Sequence, residues 1–519
     1  MTVSRSLASI SALARAAWRP ERPDRLPRAM LAMAVYGPTL AGGIAAATAR
    51  YPRAPALIDD VGPLSYGDLW GATDGIARGL RDRSIGPGTT IGILARNGRC
   101  FVLSMVAAAK LGADVVYLNT GFAGPQLADV VAHEGIHAVL HDDVFADIVT
   151  GAKPRIAVPA NELTALGEQR SFAPLRPTRH VGRQVILTSG TTGRPKGASR
   201  GAVRGIDTLT PLLETVPLRA RDTVVIAAPL FHAWGLSNMG VALGMSSTAV
   251  LRDRFDPEAT LATIAEHRAD GLIVVPVMLQ RILALDRKVL ARHDTSSLRY
   301  VASSGSALGA PLVTATLRQF GPILYNIYGS TEVSLATIAQ PADLQEAPAT
   351  AGRTAPGSVV RILDEGGREV GPDVVGRVFV GSGARFDGYT GGGGKQEIGG
   401  LLSSGDIGHF DRNGRLFIDG RDDDMIVSGG ENVFPAEVED LLAGHPDIVE
   451  AAVIGVADEE FGQRLKAIVV RRPGAQLTAA DVKRHVREHL ARYKVPSAVA
   501  FVDELPRTTT GKVRRIDLS

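Results

Sequence analysis

The sequence predicts an α/β fold: a large N-terminal region of mostly parallel α/β sheets with a small antiparallel β-barrel part, followed by a small α+β domain. Three observations predict it. Between Thr89 and Leu140 strand-like and helix-like stretches alternate, the rhythm of a parallel sheet with helical crossovers. From Ser358 to Phe417 this gives way to short strands with Gly-rich turns, which suits a small antiparallel barrel or sheet. After Arg421 the pattern changes again, to a compact unit of about 95 residues.

The elements follow in order. The first 30 residues hold six arginines against two acids. Leu7, Ile10, Leu13 and Ala14 share one helical face, with Trp18 just beyond, so this arm is a candidate interfacial helix; a loosely docked arm is the competing reading. Met30 to Ala47 is uncharged but is broken by Gly37, Pro38, Gly42 and Gly43, which argues against a membrane span. No small-residue cleavage site follows an apolar core, so no signal peptide is expected. Thr90–Leu94 reads as a strand, 102–111 as a helix and 113–118 as the next strand. Strands resume at 184–187, 223–226, 272–275 and 323–325. Gly391 to Gly394 reads as a surface loop. The last unit reads as helix 435–442, strands 449–456 and 465–470, helix 479–491 and strand 498–502. The expected division is an arm over 1–44, a main domain over 45–421 with its barrel-like part at about 350–420, and a C-terminal domain over 422–519.

Composition narrows the function classes. Over 519 residues, 45% are apolar and 21% charged, which fits a folded chain and not a disordered one. A net charge of +3 is too small to argue for nucleic acid. Cys100 is the single cysteine, so neither an internal disulfide nor a thiolate zinc site can form. A cytoplasmic location is expected.

Leu187 to Gly197 concentrates three glycines, four hydroxyl residues and one lysine. Glycines let the backbone turn and approach a ligand, and successive N–H groups in such turns attract anions. The loop leaves the strand-like run Gln184–Leu187, so it reads as a phosphate cradle. It is not the P-loop of ordinary NTPases. Lys196 is followed by Gly197, so the hydroxyl residue that would hold Mg²⁺ is missing.

Further segments join it in order: Tyr328-Gly329-Ser330-Thr331-Glu332, Ser404-Gly405-Asp406, Gly420-Arg421 with Asp423, Ser428-Gly429-Gly430-Glu431-Asn432, and Pro506 to Lys512. Together they resemble the adenylate-forming superfamily of acyl-CoA synthetases, peptide-synthetase adenylation domains and luciferases, with bacterial fatty-acyl-CoA synthetases as the nearest type. The resemblance covers residues 45 to 519. The chain departs from the pattern at Gly400–Ser403, where relatives often carry a tryptophan.

The resemblance implies ATP, Mg²⁺ and coenzyme A as cofactor and co-substrates. It implies that Thr188, Ser189, Gly190, Thr191, Thr192 and Gly193 hold phosphates with Lys196. Glu332 would bind Mg²⁺ and Thr331 would sit near the α-phosphate. Tyr328, with Gly329 and Ser330 after it, would offer a flat face to adenine. Gly305, Ser306 and Ala307 would lie on the base's other face, with Asn326 as a further contact. Asp406 would accept the ribose hydroxyls, supported by Arg421. Lys512 would bridge the attacking carboxylate and the α-phosphate. Asp423 would be the hinge about which the C-terminal domain moves, and Gly429-Gly430 the thiol tunnel. His232 and Trp234 would line the acyl pocket, His232 near the reacting carboxylate.

The expected activity is ATP-dependent conversion of a medium- or long-chain fatty acid, through acyl-AMP, to acyl-CoA with release of AMP and pyrophosphate. The alternatives are a fatty-acyl-AMP ligase and an aryl- or sterol-side-chain acid CoA ligase. No long insertion between Glu332 and Arg421 supports the first alternative. A non-catalytic acyl- or nucleotide-binding protein is the reading from another class. Expected partners are the fatty acid, ATP and coenzyme A, without nucleic acid. Peripheral membrane contact through the arm and a homodimer stay open.

Overall fold

The computed structural model describes residues 24–169, 175, 177–178, 180–188, 196–200, 210–383, 386–422, 426–428, 431–458, 462–490, 494–508 and 511–518. Ser189 to Gly193, Asp423, Gly429, Gly430 and the arm residues Leu7 to Trp18 lie outside them. Among the described residues the chain builds four sheets.

The largest runs in spatial order 353–354, 334–339, 324–330, 300–303, 271–274, 223–226, 248–250, 55–59 and 62–65. Its middle strands are parallel, and antiparallel strands close both edges. Runs such as Gly271–Val274 and Tyr300–Ser303 are buried throughout, as strands covered on both faces must be. Four neighbours, 324–330, 300–303, 271–274 and 223–226, run the same way. Their C-terminal ends therefore share one edge. The end of strand 324–330 carries Tyr328 to Ser330, and the segments after the four strands carry Thr331-Glu332, Gly305 to Ala307, Val277 and Phe231-His232, so these residues gather along that edge.

The second sheet has the order 386–389, 196–200, 184–188, 114–117, 90–94, 138–141 and 156–159. The glycine-rich loop begins at a strand end, as expected, but it connects an antiparallel hairpin. Thr188 pairs directly with Lys196 across it. A further difference concerns the strand expected at 323–325. It continues to Ser330, because Asn326 to Ser330 find antiparallel partners in 334–339. Tyr328 is thus held on a strand.

Residues 359–363, 376–381, 397–398, 401–410 and 416–421 form an antiparallel sheet with its own apolar cluster. The final sheet has order 431–433, 426–428, 462–471 and 448–458, with 498–502 parallel to 462–471. Helices Pro435–Ala443 and Ala479–His489 pack on it through Val438, Leu442, Val482 and Val486. The second helix starts at a reciprocal Thr478–Asp481 cap, which stabilises such a terminus by about 1 kcal/mol.

The uncharged stretch after Met30 forms parts of two helices, Arg25–Tyr36 and Leu40–Arg50, separated at Gly37-Pro38. Among the described residues no helix is long and apolar enough to cross a membrane.

Candidate active site

Asp406 lies in strand 401–410, opposite Arg421 in the adjacent strand. Tyr328 Oη donates to Asp406 Oδ2 at 2.5 Å, and Arg421 Nη1 donates to Oδ1 at 3.3 Å. The Ser404 hydroxyl accepts the Asp406 N–H at 3.0 Å and donates to the Val378 carbonyl at 3.1 Å. Burial and the Asp406 charge push the Tyr328 hydroxyl well above the usual tyrosine range, so it stays a donor. Asp406 keeps acceptor capacity beyond these partners, which suits a diol.

Glu332 sits in the turn after Tyr328. Ser330 Oγ donates to its Oε2 at 2.9 Å and Tyr389 Oη to its Oε1 at 3.0 Å. Tyr389 comes from strand 386–389, which pairs with the strand beginning at Lys196. The Lys196 ammonium lies 5.6 Å from the Tyr389 ring centroid. Tyr389 therefore joins the lysine of the glycine-rich hairpin to the carboxylate of the other sheet. A lone carboxylate among hydroxyls fits a hard cation that arrives already bound to phosphates, so these residues fit Mg²⁺ carried by ATP. Thr331 is half-buried in the same turn.

Phe231 and His232 lie at the edge where strand 223–226 ends. Asn97, in the turn after strand 90–94 of the second sheet, braces this segment: its Nδ2 donates to the Ala228 carbonyl at 3.0 Å and its Oδ1 accepts the Leu230 N–H at 2.9 Å. His232 precedes helix Ala233–Gly244 and its ring lies 4.4 Å from that of Phe231. Burial first, and then the positive charge of Lys512, push its pKa down to about 3, so the imidazole is neutral. Its Nε2 is buried and makes no hydrogen bond among the described residues. Such an atom suits a ligand's polar group. Trp234 donates its indole N–H to the Val274 carbonyl at 3.0 Å, which fixes the ring at the sheet edge.

Lys512 reaches this edge from the C-terminal unit. Its loop closes on itself: Thr508 N–H donates to the Lys512 carbonyl at 2.7 Å, and Lys512 N–H donates to Thr508 Oγ1 at 3.1 Å. Gly511 has φ 80°, and a Cβ there would meet Val277 Cγ1 at 2.2 Å, so the loop presses on the start of helix Pro276–Leu283. The residue keeps water-exposed surface, yet protein atoms from both halves crowd the ammonium. That desolvation lowers its pKa, and Arg421 lowers it further; Asp406 and Glu332 pull the other way. Lys512 thus acts electrostatically on Asp406, Glu332, Arg421 and His232 together.

The structure brings together Tyr328, Ser330, Glu332, Asp406, Arg421, His232, Trp234 and Lys512 around one edge. Gly305 to Ala307 form an exposed loop on it. Asn326 is buried, and its Nδ2 donates to the Thr350 carbonyl at 3.1 Å. Tyr389 and Asn97 were not legible as site residues. Neither belongs to the motifs quoted above, and each acts through a partner far away in sequence.

The chain matches the AMP-binding enzyme family over residues 44–390, and the AMP-binding enzyme C-terminal domain over 437–512. It is 35% identical to indoleacetate–CoA ligase of Aromatoleum aromaticum, over 88% of this chain and 92% of that protein. It is 33% identical to feruloyl-CoA synthase of an Amycolatopsis species (89% and 94%). It is 30% identical to ScoC, a fatty acid–[acyl-carrier-protein] ligase of Streptomyces coeruleorubidus (90% and 93%). ATP-bound MatB of Rhodopseudomonas palustris superposes with TM-score 0.82 at 27% identity, over 92% of this chain and 98% of that one. The chain therefore belongs to the AMP-binding enzyme family, the adenylate-forming superfamily that its motifs resemble.

Proposed function

We propose that this enzyme activates a ring-bearing carboxylic acid, of the arylacetic or arylpropenoic kind, as its coenzyme A thioester. It is an AMP-forming acid–thiol ligase that works with ATP, Mg²⁺ and coenzyme A. The observation that carries the choice of acid is that the relatives at 35% and 33% identity are named for indoleacetate and ferulate. The fixed indole of Trp234 supports it, because a held aromatic face favours a flat acyl group over a flexible chain. The straight-chain expectation becomes the second reading, supported by the likeness to ScoC.

The residues suit the chemistry as follows. A carboxylate oxygen bonds to the α-phosphorus while the bond from phosphorus to pyrophosphate breaks. Asp406, oriented by Tyr328 and Arg421, accepts the ribose hydroxyls. The neutral His232 offers its buried Nε2 to the acid or the α-phosphate without adding a fixed charge. The Lys512 ammonium stands where negative charge grows between the two reactants. Glu332, steadied by Ser330 and Tyr389, would hold the Mg²⁺ that neutralises the leaving phosphates. Lys196 and the hairpin loop would hold pyrophosphate. In the second step the thiol sulfur attacks the acyl carbon and AMP leaves. For that step the C-terminal unit would pivot at Asp423 and present Gly429-Gly430 to the thiol.

The test is a panel of indoleacetate, ferulate, 2-succinylbenzoate, hexanoate and dodecanoate, scored by pyrophosphate exchange and by coenzyme-A-dependent AMP release. The expected result is the highest kcat/KM with a ring-bearing acid. A preference for dodecanoate would replace this reading with the second, and arrest at the adenylate would remove the thioester step.

A further inference from the structure

Gly197 directly follows Lys196, at the place where an ordinary P-loop carries a hydroxyl residue. The space for a side chain there is already taken. A Cβ on Gly197 would lie 2.5 Å from Thr390 Oγ1, 2.7 Å from Glu134 Oε1 and 2.8 Å from Val185 Cγ1. Three segments distant in sequence close on this one backbone position, and only glycine leaves room for them.

Hydrogen bonds join these segments. The Thr390 N–H donates to the Gly197 carbonyl at 2.9 Å. The Thr390 hydroxyl donates to Glu134 Oε1 at 2.7 Å and lies 3.3 Å from the same Gly197 carbonyl. A carboxylate acceptor makes such a bond stronger than one between neutral groups. Glu134 itself is anchored. It ends helix Gly124–His133, and its own N–H donates to the Val130 carbonyl at 2.9 Å. Leu127, Val130 and Val131 of that helix share an apolar cluster with Val185 and Leu187, on the other strand of the glycine-rich hairpin. One residue beyond Thr390, a Cβ on Gly391 would meet His133 Nε2 at 3.0 Å, so the helix end backs both positions.

Neighbouring residues of a strand face opposite sides of the sheet. On one side the Lys196 ammonium lies by the Tyr389 ring, and Tyr389 Oη donates to Glu332. On the other side Gly197 meets Thr390 and Glu134. The lysine strand is therefore gripped from behind. Thr390 is also the chain neighbour of Tyr389, so a shift of Thr390 carries with it the contact between Lys196 and Glu332's partner.

We infer that Glu134 and Thr390 are positioning residues for the pyrophosphate half of ATP. They set the placement of the Lys196 strand from the far side of the sheet, without touching the nucleotide. The inference rests on the reading that Lys196 and its loop hold pyrophosphate. The acid's end is independent of them, because His232 and Trp234 follow strand 223–226 of the other sheet.

Thr390→Val removes the hydroxyl and keeps the shape of the side chain. KM for ATP, and for pyrophosphate in the exchange reaction, should rise about fivefold, the scale for one hydrogen bond. KM for the acid and the melting temperature should not change. Glu134→Ala should act alike, and the double variant should be no worse than either single one, since both remove the same bond. Thr390→Ser keeps a donor and Glu134→Gln keeps an acceptor, so each should stay near the unsubstituted enzyme. Lys196→Ala is assayed in parallel. A rise in KM for ATP with Lys196→Ala but not with Thr390→Val overturns the inference and leaves the reading of the hairpin standing. No rise with either variant overturns both. Additive losses in the double variant, or an equal rise in KM for the acid, also overturn the inference.

Discussion

Tyr389 Oη donates to Glu332 Oε1 at 3.0 Å, across 57 positions of sequence and between two sheets. Burial and the Glu332 charge raise the phenol's pKa, so it stays a donor through the neutral range. Tyr389→Phe keeps the ring beside Lys196 and removes only the hydroxyl. The expected outcome is loss of about 1 kcal/mol of positioning, read as a rise of roughly fivefold in the Mg²⁺ needed for half-maximal pyrophosphate exchange. KM for the acid should not change. Calorimetric titration with pyrophosphate at two Mg²⁺ levels checks the same point without turnover.

Lys512→Ala should slow adenylate formation by on the order of 10²–10³-fold, the scale for removing one transition-state charge contact. Thioester formation from supplied acyl-AMP should persist. Equal loss of both half-reactions removes the assigned role.

The lowered Lys512 pKa gives a pH prediction with a definite sign. The proposed role needs the ammonium, which is lost as pH rises through its pKa. Adenylation should therefore fall on the alkaline side sooner than an ordinary lysine would allow. Lys512→Arg should move that limb upward, since a guanidinium does not titrate there. His232, neutral down to about pH 3, should contribute no limb between pH 5 and 8. His232→Asn should lower kcat/KM for the acid and leave the shape of the profile unchanged.

Gly511→Ala tests docking apart from chemistry. The new methyl meets Val277 Cγ1 at 2.2 Å and the φ of 80° disfavours any side chain. Adenylation should fall with Lys512 intact, and Val277→Ala should restore part of it. Failure of that rescue would locate the defect in the loop's own conformation.

Asn97→Ala should leave the Ala228 carbonyl and the Leu230 N–H without their buried partner, destabilising the fold by roughly 1–3 kcal/mol. KM for the acid should rise more than KM for ATP, because the braced segment carries His232. Thermal melting and steady-state kinetics separate the two effects.

Motif residues were legible because their chemistry is local: Asp406 follows Ser404, and Glu332 follows Ser330, within hydrogen-bonding reach. Burial patterns placed the parallel strands for the same reason. What could not be read was long-range. Tyr328 joins a strand because 334–339 pairs with it, and no periodicity at 326–330 announces that partner. Asn97 and Tyr389 became site residues through sheet order, which brings distant segments together. The straight-chain preference rested on resemblance alone, and the relatives weigh toward ring-bearing acids.

Strand order also acts as a ruler. Strands 223–226 and 324–330 are separated by two intervening strands, which makes three spacings or about 14 Å along the sheet edge. His232 follows the first after a five-residue connection, and Tyr328 lies near the end of the second. A linear molecule laid along this edge, acid at one end and nucleoside at the other, would be measured in whole strands. On the proposed assignment a bulkier acid would be accommodated on the His232 side, because the pleat fixes the spacing of the strands beneath the nucleoside.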